Sequence, residues 1–110
     1  MNITFTARHF RPHPEVKEHA IEAVKKLTKF YDGIVRVNVI LSFERVTNSL
    51  KAAEINLHVY GSILSAKEKS DDFIKSIDAA TAKLTVQLDK YKKKLRLKDK
   101  TRVRKIQDKV

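Results

Sequence analysis

The fold class predicted by the amino-acid sequence is α+β: a two-layer β-α-β-β-β-α sandwich, with a four-stranded mixed sheet carrying both helices on one face. Three observations lead there. Apolar and polar residues alternate over 2–7, 35–43 and 53–59, as in strands with one buried face. Over 14–31 and 70–95 apolar residues instead recur at three- and four-residue steps, as on amphipathic helices. Strands with a single apolar face need cover on one side only, so both helices belong on that side.

In the first strand Ile3, Phe5 and Ala7 alternate with Asn2, Thr4 and Thr6. Residues 8–13 form a polar connection, and Pro14 suits the first helical position, where its missing N–H costs nothing. Glu15 and Glu18 complement the positive end of the helix dipole, while Val16, Ala20, Val24, Leu27 and Tyr31 make the apolar stripe. Gly33 is expected to end this helix in a left-handed conformation. Val35, Val37, Val39, Leu41 and Phe43 then point one way and Arg36, Asn38, Ile40 and Ser42 the other. After a turn-like stretch at 45–49, Ala53, Ile55, Leu57 and Val59 face inward, with Glu54, Asn56, His58 and Tyr60 outward.

Tyr60-Gly61-Ser62 reads as a tight reversal, and 63–67 as a short last strand. Ser70 is the expected N-cap of the second helix, with Asp71 and Asp72 in its first turn. Its stripe runs through Ile74, Ile77, Thr81 or Ala80, Leu84, Leu88, Tyr91 and Leu95. That stripe outlasts what a sheet of this size can cover, so the last turns project beyond the body. After Leu97 the apolar period fails. Residues 1–97 are read as the folded domain, and 98–110 as a basic tail that is disordered or helical only when bound.

One hundred and ten residues suit one small domain. With no cysteine, disulfides, thiol nucleophiles and Cys-based zinc sites are excluded, which fits a reducing compartment. No segment is apolar enough to span a bilayer and no signal peptide is visible, so a soluble cytoplasmic protein without a membrane role is expected. Charge is the most telling quantity. Residues 90–110 hold eleven Lys and Arg against two carboxylates, a net of +9, whereas residues 1–89 hold thirteen against eleven, a net of +2. A nearly neutral body with a strongly basic end suits a protein that holds a polyanion.

The candidate binding residues follow from helical spacing. Lys83, Gln87, Lys90 and Lys94 fall on one face of the second helix, where Lys90 and Lys94 form a like-charge pair costing a few tenths of a kcal/mol. Asp89 is placed to screen Lys92 and Lys93. On the first helix Lys25 and Lys29 form a second like-charge pair, Glu22 can reach Lys26, and Arg8 precedes the helix. A solvated face would mix signs more evenly, and a membrane-surface helix would need the apolar stripe that the core already uses. Amines on two helices of a sheet-backed domain suit phosphates on shaped RNA. A single-strand stacking platform is poorly supplied, with only Tyr60 and His58 on the outer sheet face. His9 and His13 have metal-ligand spacing, but prolines flank them and they precede the helix, so no metal, cofactor or catalytic residue is expected.

The segment Ser70-Asp71-Asp72-Phe73-Ile74-Lys75-Ser76-Ile77-Asp78-Ala79-Ala80, followed by Lys83-Leu84, Gln87-Leu88 and residues 90–94, resembles the second-helix signature of the ribosome hibernation promoting factors. These are also called ribosome-associated inhibitors or sigma-54 modulation proteins. Asn2-Ile3-Thr4, Arg8-His9, Pro14 and Lys25-Lys26-Leu27-Lys29-Phe30-Tyr31 resemble the family's first strand and helix, and the likeness extends to about residue 95. It implies a non-enzymatic stress factor that binds the small ribosomal subunit in the mRNA and tRNA channel and blocks translation sterically. Contacts would be to rRNA, with ribosomal proteins as further neighbours, and the free protein would be monomeric. Carried over residue by residue, the rRNA-binding set is Arg8, Lys25, Lys29, Lys83, Lys90, Lys93 and Lys94. Ala7, His13 and Ile74 depart from the family's usual Gly, Thr and Tyr, and the chain resembles a short form. The residues taken alone leave a general double-stranded RNA-binding module as the alternative.

Overall fold

Strand β1 (Asn2–Ala7) pairs in parallel with β2 (Ile34–Glu44), and helix α1 (Pro14–Phe30) forms the crossover between them. Strands β3 (Leu50–Val59) and β4 (Ser62–Ser70) continue antiparallel, giving the order β1-β2-β3-β4, and helix α2 (Phe73–Asp108) closes the chain. The computed structural model describes residues 2–31, 33–44 and 50–108, with side chains as far as Lys94. The turn expected at 45–49 therefore lies outside the described residues and Leu95 of the predicted stripe outside the described side chains, while the backbone of α2 stays helical past the boundary expected after residue 97, as far as Asp108.

Both helices lie on one face of the sheet. Val37, Val39, Leu41, Ile55 and Leu57 of the sheet are buried against Ala20, Val24 and Leu27 of α1 and Ile77, Ala80, Leu84 and Leu88 of α2. Phe10 stacks on Phe73 with ring centroids 5.0 Å apart, and Phe43 meets both rings edge-on, closing one end of this core. By length, α2 outruns the sheet: its 36 residues extend about 54 Å, against about 37 Å for the eleven residues of β2. No helix among the described residues is long and apolar enough to cross a membrane.

Five local expectations are corrected. Val35 is 63% exposed because a register shift between Ile34 and Arg36 gives its inward place to Ile34. Gly33 does not take positive φ; the glycine that does is Gly61, at φ 77° in the two-residue turn between Val59 and Ser62. Gly33 is needed for space instead, since a Cβ there would lie 2.5 Å from the Tyr31 ring.

Strand β4 runs nine residues, well past 67, because Lys67, Glu68 and Lys69 keep pairing with β3 where their polarity hides the alternation. Ser70 ends that strand, and Asp72 caps α2 by accepting the Ile74 N–H at 3.1 Å, so neither Asp71 nor Asp72 lies in the first turn. Ser70 instead bonds Ser76, whose buried hydroxyl donates to the Lys51 carbonyl at 2.6 Å and ties α2 to β3. Finally, Tyr60 sits in the turn rather than on the outer sheet face.

Candidate nucleic-acid interface

The two helices run in the same direction. His19 meets Asp78 near their starts at 2.6 Å, and Lys92 donates to the Phe30 carbonyl at 3.3 Å where α1 ends. This brings the last turn of α1, with Lys29, to the same end of the molecule as residues 90–94 of α2. The negative end of the α1 dipole favours cations there. Lys92 also lies 4.7 Å from the centroid of the Phe30 ring, so its charge is held by an aromatic face and a carbonyl rather than by Asp89.

The wall that carries this cluster is built from aromatic side chains. Tyr31, just after α1, packs edge-on against Tyr91 of α2 at 5.8 Å, and the Tyr91 hydroxyl donates to the Tyr60 carbonyl at 2.6 Å. One residue thus joins the end of α1, the second helix and the β3–β4 turn. The bare Gly33 backbone makes room for the Tyr31 ring. Sequence periodicity marked Tyr31 and Tyr91 as core positions, but nothing in it signals a tyrosine hydroxyl bonded across 31 residues.

The seven predicted contacts do not share one environment. Lys90, Lys93 and Lys94 line a groove of about 510 Å³ with Ser62, Leu64, Gln87 and Tyr91, and among the described residues no carboxylate lines it. Among the described residues Lys90 and Lys94 form no ion pair, whereas Lys93 reaches Asp89 at 3.1 Å. Lys83 is on the same side of α2, turned toward β4, but its amine is 2.6 Å from the Glu68 carboxylate. Gln87 between them donates to the Ser65 carbonyl at 2.9 Å.

Lys25 and Lys29 are exposed on α1 with no ion pair among the described residues, and Glu22 forms none with Lys26. The helices face each other through Ala23, Leu27 and Phe30 on α1 and Thr81, Ala82 and Thr85 on α2. Lys83, Lys90 and Lys94 lie on the far side of α2 from that seam, so α1 and α2 do not converge their amines into a single narrow ridge. What they share is an end of the molecule, where Lys29 and the lysines of 90–94 form a broad cationic surface.

Arg8 stands apart. Its backbone N–H donates to Leu41 at 2.9 Å, and its side chain borders a recess with His9, Ser42, Phe43, Glu44 and Lys67. That recess lies at the other end of the sheet from the β3–β4 turn, about 30 Å away by the length of β3. Within it the Glu44 carboxyl is held below the ordinary glutamate range, first by a hydrogen bond from Lys67 and then by the charge of Lys69. His9 takes φ 65° in the connecting loop and His13 is the N-cap of α1, so the pair does not share a helix face. Among the described residues no three His, Asp or Glu side chains are grouped closely enough to hold a metal ion.

A family model described as Sigma 54 modulation protein / S30EA ribosomal protein matches residues 3–96. A ribosome hibernation promoting factor from Klebsiella oxytoca is 32% identical over 96 residues, covering 87% of this chain and 98% of that protein. The protein of the same description from Escherichia coli is 30% identical with the same coverage. Among solved structures, a ribosomal subunit interface protein from Coxiella burnetii matches with a TM-score of 0.75 at 27% identity, covering 84% of this chain and 98% of that one. The N-terminal domain of Thermus thermophilus Protein Y, at 23% identity and a TM-score of 0.71 over 83% and 99% of the two chains, supports the fold alone.

Proposed function

The chain belongs to the Sigma 54 modulation protein / S30EA ribosomal protein family, and from that membership we propose that it silences translation by occupying the small ribosomal subunit. It is a binding protein rather than an enzyme, acting in the bacterial cytoplasm on idle ribosomes. The body fills the channel used by mRNA and tRNA, and the lysines neutralise rRNA phosphates around it. Blocking is steric, so no bond is made or broken.

The observation that carries this reading is the end of the molecule where α1 finishes and α2 continues. Lys29, Lys90 and Lys94 are exposed there without ion partners among the described residues. Phosphates can therefore be neutralised without first breaking an internal pair. Lys25 and Lys93 extend the surface, Lys83 joins it by exchanging Glu68 for a phosphate, and Arg8 contacts a separate part of the rRNA from the opposite end.

Sedimentation with purified small subunits across a salt series tests the proposal. With about six phosphates neutralised, affinity falls by roughly three decades between low and moderate salt. Replacing Lys83, Lys90 and Lys94 together by Glu abolishes co-sedimentation while the fold survives, because all three are exposed. Salt-insensitive binding would refute the phosphate contacts. Displacement by an unrelated duplex RNA in modest excess would refute ribosome specificity.

A further inference from the structure

We propose that the Tyr60 ring is a stacking platform for one unpaired nucleobase, and that Lys90 and Lys94 beside it hold phosphates of the same single strand. The inference rests on the proposed ribosomal role and specifies the class of RNA that this end of the molecule takes. It is a single-stranded stretch with an accessible base, not a duplex.

The ring is 89% exposed, more than any other exposed large hydrophobic side chain described. Among the described residues no aromatic ring or amine covers either of its faces. An isolated exposed aromatic on a turn is ordinary. Here, however, the backbone beneath it is held. The turn has only two residues between paired Val59 and Ser62, Gly61 takes the positive φ it requires, and the Tyr60 carbonyl accepts the Tyr91 hydroxyl at 2.6 Å. Tyr91 lines the groove that also carries Lys90 and Lys94. One hydrogen bond therefore ties the turn that bears the open ring to the stretch of α2 that bears two amines without ion partners among the described residues.

The surroundings select the partner. Ser62, Leu64, Gln87 and Lys93 complete the groove, and among the described residues no carboxylate is part of its lining. A polyanion with flat apolar faces matches both features, and single-stranded RNA supplies phosphates and π-faces in one chain. An A-form duplex keeps its bases stacked on each other and offers no such face to a lone ring. With one ring, the site accommodates one base rather than a run of them.

The chain contains no tryptophan, so Tyr60→Trp places the sole indole at the proposed site. Titration with a short oligoadenylate is expected to quench its emission, while an abasic strand of the same length binds without quenching. Tyr60→Ser, which keeps the backbone carbonyl and its bond to Tyr91, should weaken oligoadenylate binding roughly tenfold and leave the abasic strand unaffected. Tyr60→Phe should bind as the wild type does. Equal quenching by both strands, or an unchanged oligoadenylate affinity in Tyr60→Ser, would overturn the proposal. So would a Tyr60→Ser loss of small-subunit binding with oligoadenylate binding intact, which would assign the ring to a protein contact. If Tyr60→Ser changes nothing but Lys90→Ala with Lys94→Ala still weakens small-subunit binding, stacking falls and the ribosomal reading stands. If wild-type protein does not bind the subunit at all, that reading falls first.

Discussion

Helical spacing makes Lys83, Lys90 and Lys94 equivalent, but their surroundings do not, and the difference is measurable. Lys90 and Lys94 carry no ion partner among the described residues, whereas the Lys83 amine lies 2.6 Å from a Glu68 carboxylate whose side chain is only 25% exposed. Each phosphate neutralised contributes about 0.7–0.9 to the slope of log affinity against log salt, or about threefold in affinity between roughly 50 and 200 mM. Lys90→Ala combined with Lys94→Ala should therefore flatten the slope for small-subunit binding by about 1.6 and remove roughly a tenfold salt response over that interval.

Lys83→Ala should flatten the slope by clearly less than one contact, because the wild-type amine must exchange a carboxylate for a phosphate. Glu68→Gln should do the opposite, steepening the slope and raising affinity by up to about threefold at low salt as the Lys83 charge is released. The partly exposed ion pair that Glu68→Gln removes stabilises the fold by about 1 kcal/mol, so the variant remains folded for the assay. Co-sedimentation at several salt concentrations reads all four slopes. Equal flattening by each lysine substitution, with no response to Glu68→Gln, would refute the claim that internal pairing sets each lysine's contribution.

Three further outcomes test the scaffold. Gly33→Ala would drive a methyl to 2.5 Å from the Tyr31 ring and so disturb its packing on Tyr91; a loss of about 1–3 kcal/mol is expected in urea denaturation. Ser76→Ala leaves the Lys51 carbonyl without the buried hydroxyl that donates to it, and should cost about 1–3 kcal/mol by the same measurement. The Glu44 carboxyl has its folded pKa lowered, chiefly by the Lys67 hydrogen bond and then by the Lys69 charge, so its contribution is present above the unfolded glutamate value and is lost as pH falls through the lowered folded value. The gap in urea midpoint between wild type and Glu44→Gln should therefore be widest near neutral pH and close in acid.

Much of the fold could be read from periodicity, because the features that decide it are local. The inward run Ile55, Leu57 and Val59 and the stripe Ile77, Leu84 and Leu88 are buried as their spacing predicts. Expectations failed where a backbone detail or a polar side chain took over. A single bulge inverted Val35, and charged Lys67 and Lys69 hid the second half of β4. Asp72 took the capping place expected of Ser70, which instead ends β4 and bonds Ser76. At the candidate interface, spacing correctly placed Lys83, Lys90 and Lys94 on one side of α2. It carried no information about Glu68, which comes from another strand, or about the bond that Tyr91 donates to the Tyr60 carbonyl. Side-chain pairing between elements is a tertiary fact that no helical wheel contains.

The same distinction explains how a crowded cationic surface can exist on a free, folded protein. Like charges on neighbouring turns of a helix repel by a few tenths of a kcal/mol per pair, and exposed ones are screened beyond about 10 Å at ordinary ionic strength. Burial of Leu84 and Leu88, each contributing roughly 1.5–3 kcal/mol, outweighs that repulsion. The stretch of α2 that carries Lys90 and Lys94 is thus held in place by the apolar side of its own helix and by the Tyr91 bond, not by counter-charges on those two amines. In the proposed complex a phosphate backbone would meet amines carried on a helix that is already fixed, and the repulsion among them would be relieved on binding. Where a counter-charge is present, as at Lys83, the fold is slightly more stable and the hold on an anion weaker. Stability and anion affinity are therefore set by different faces of α2, and substitutions on its outer face should change the second while leaving the first nearly untouched.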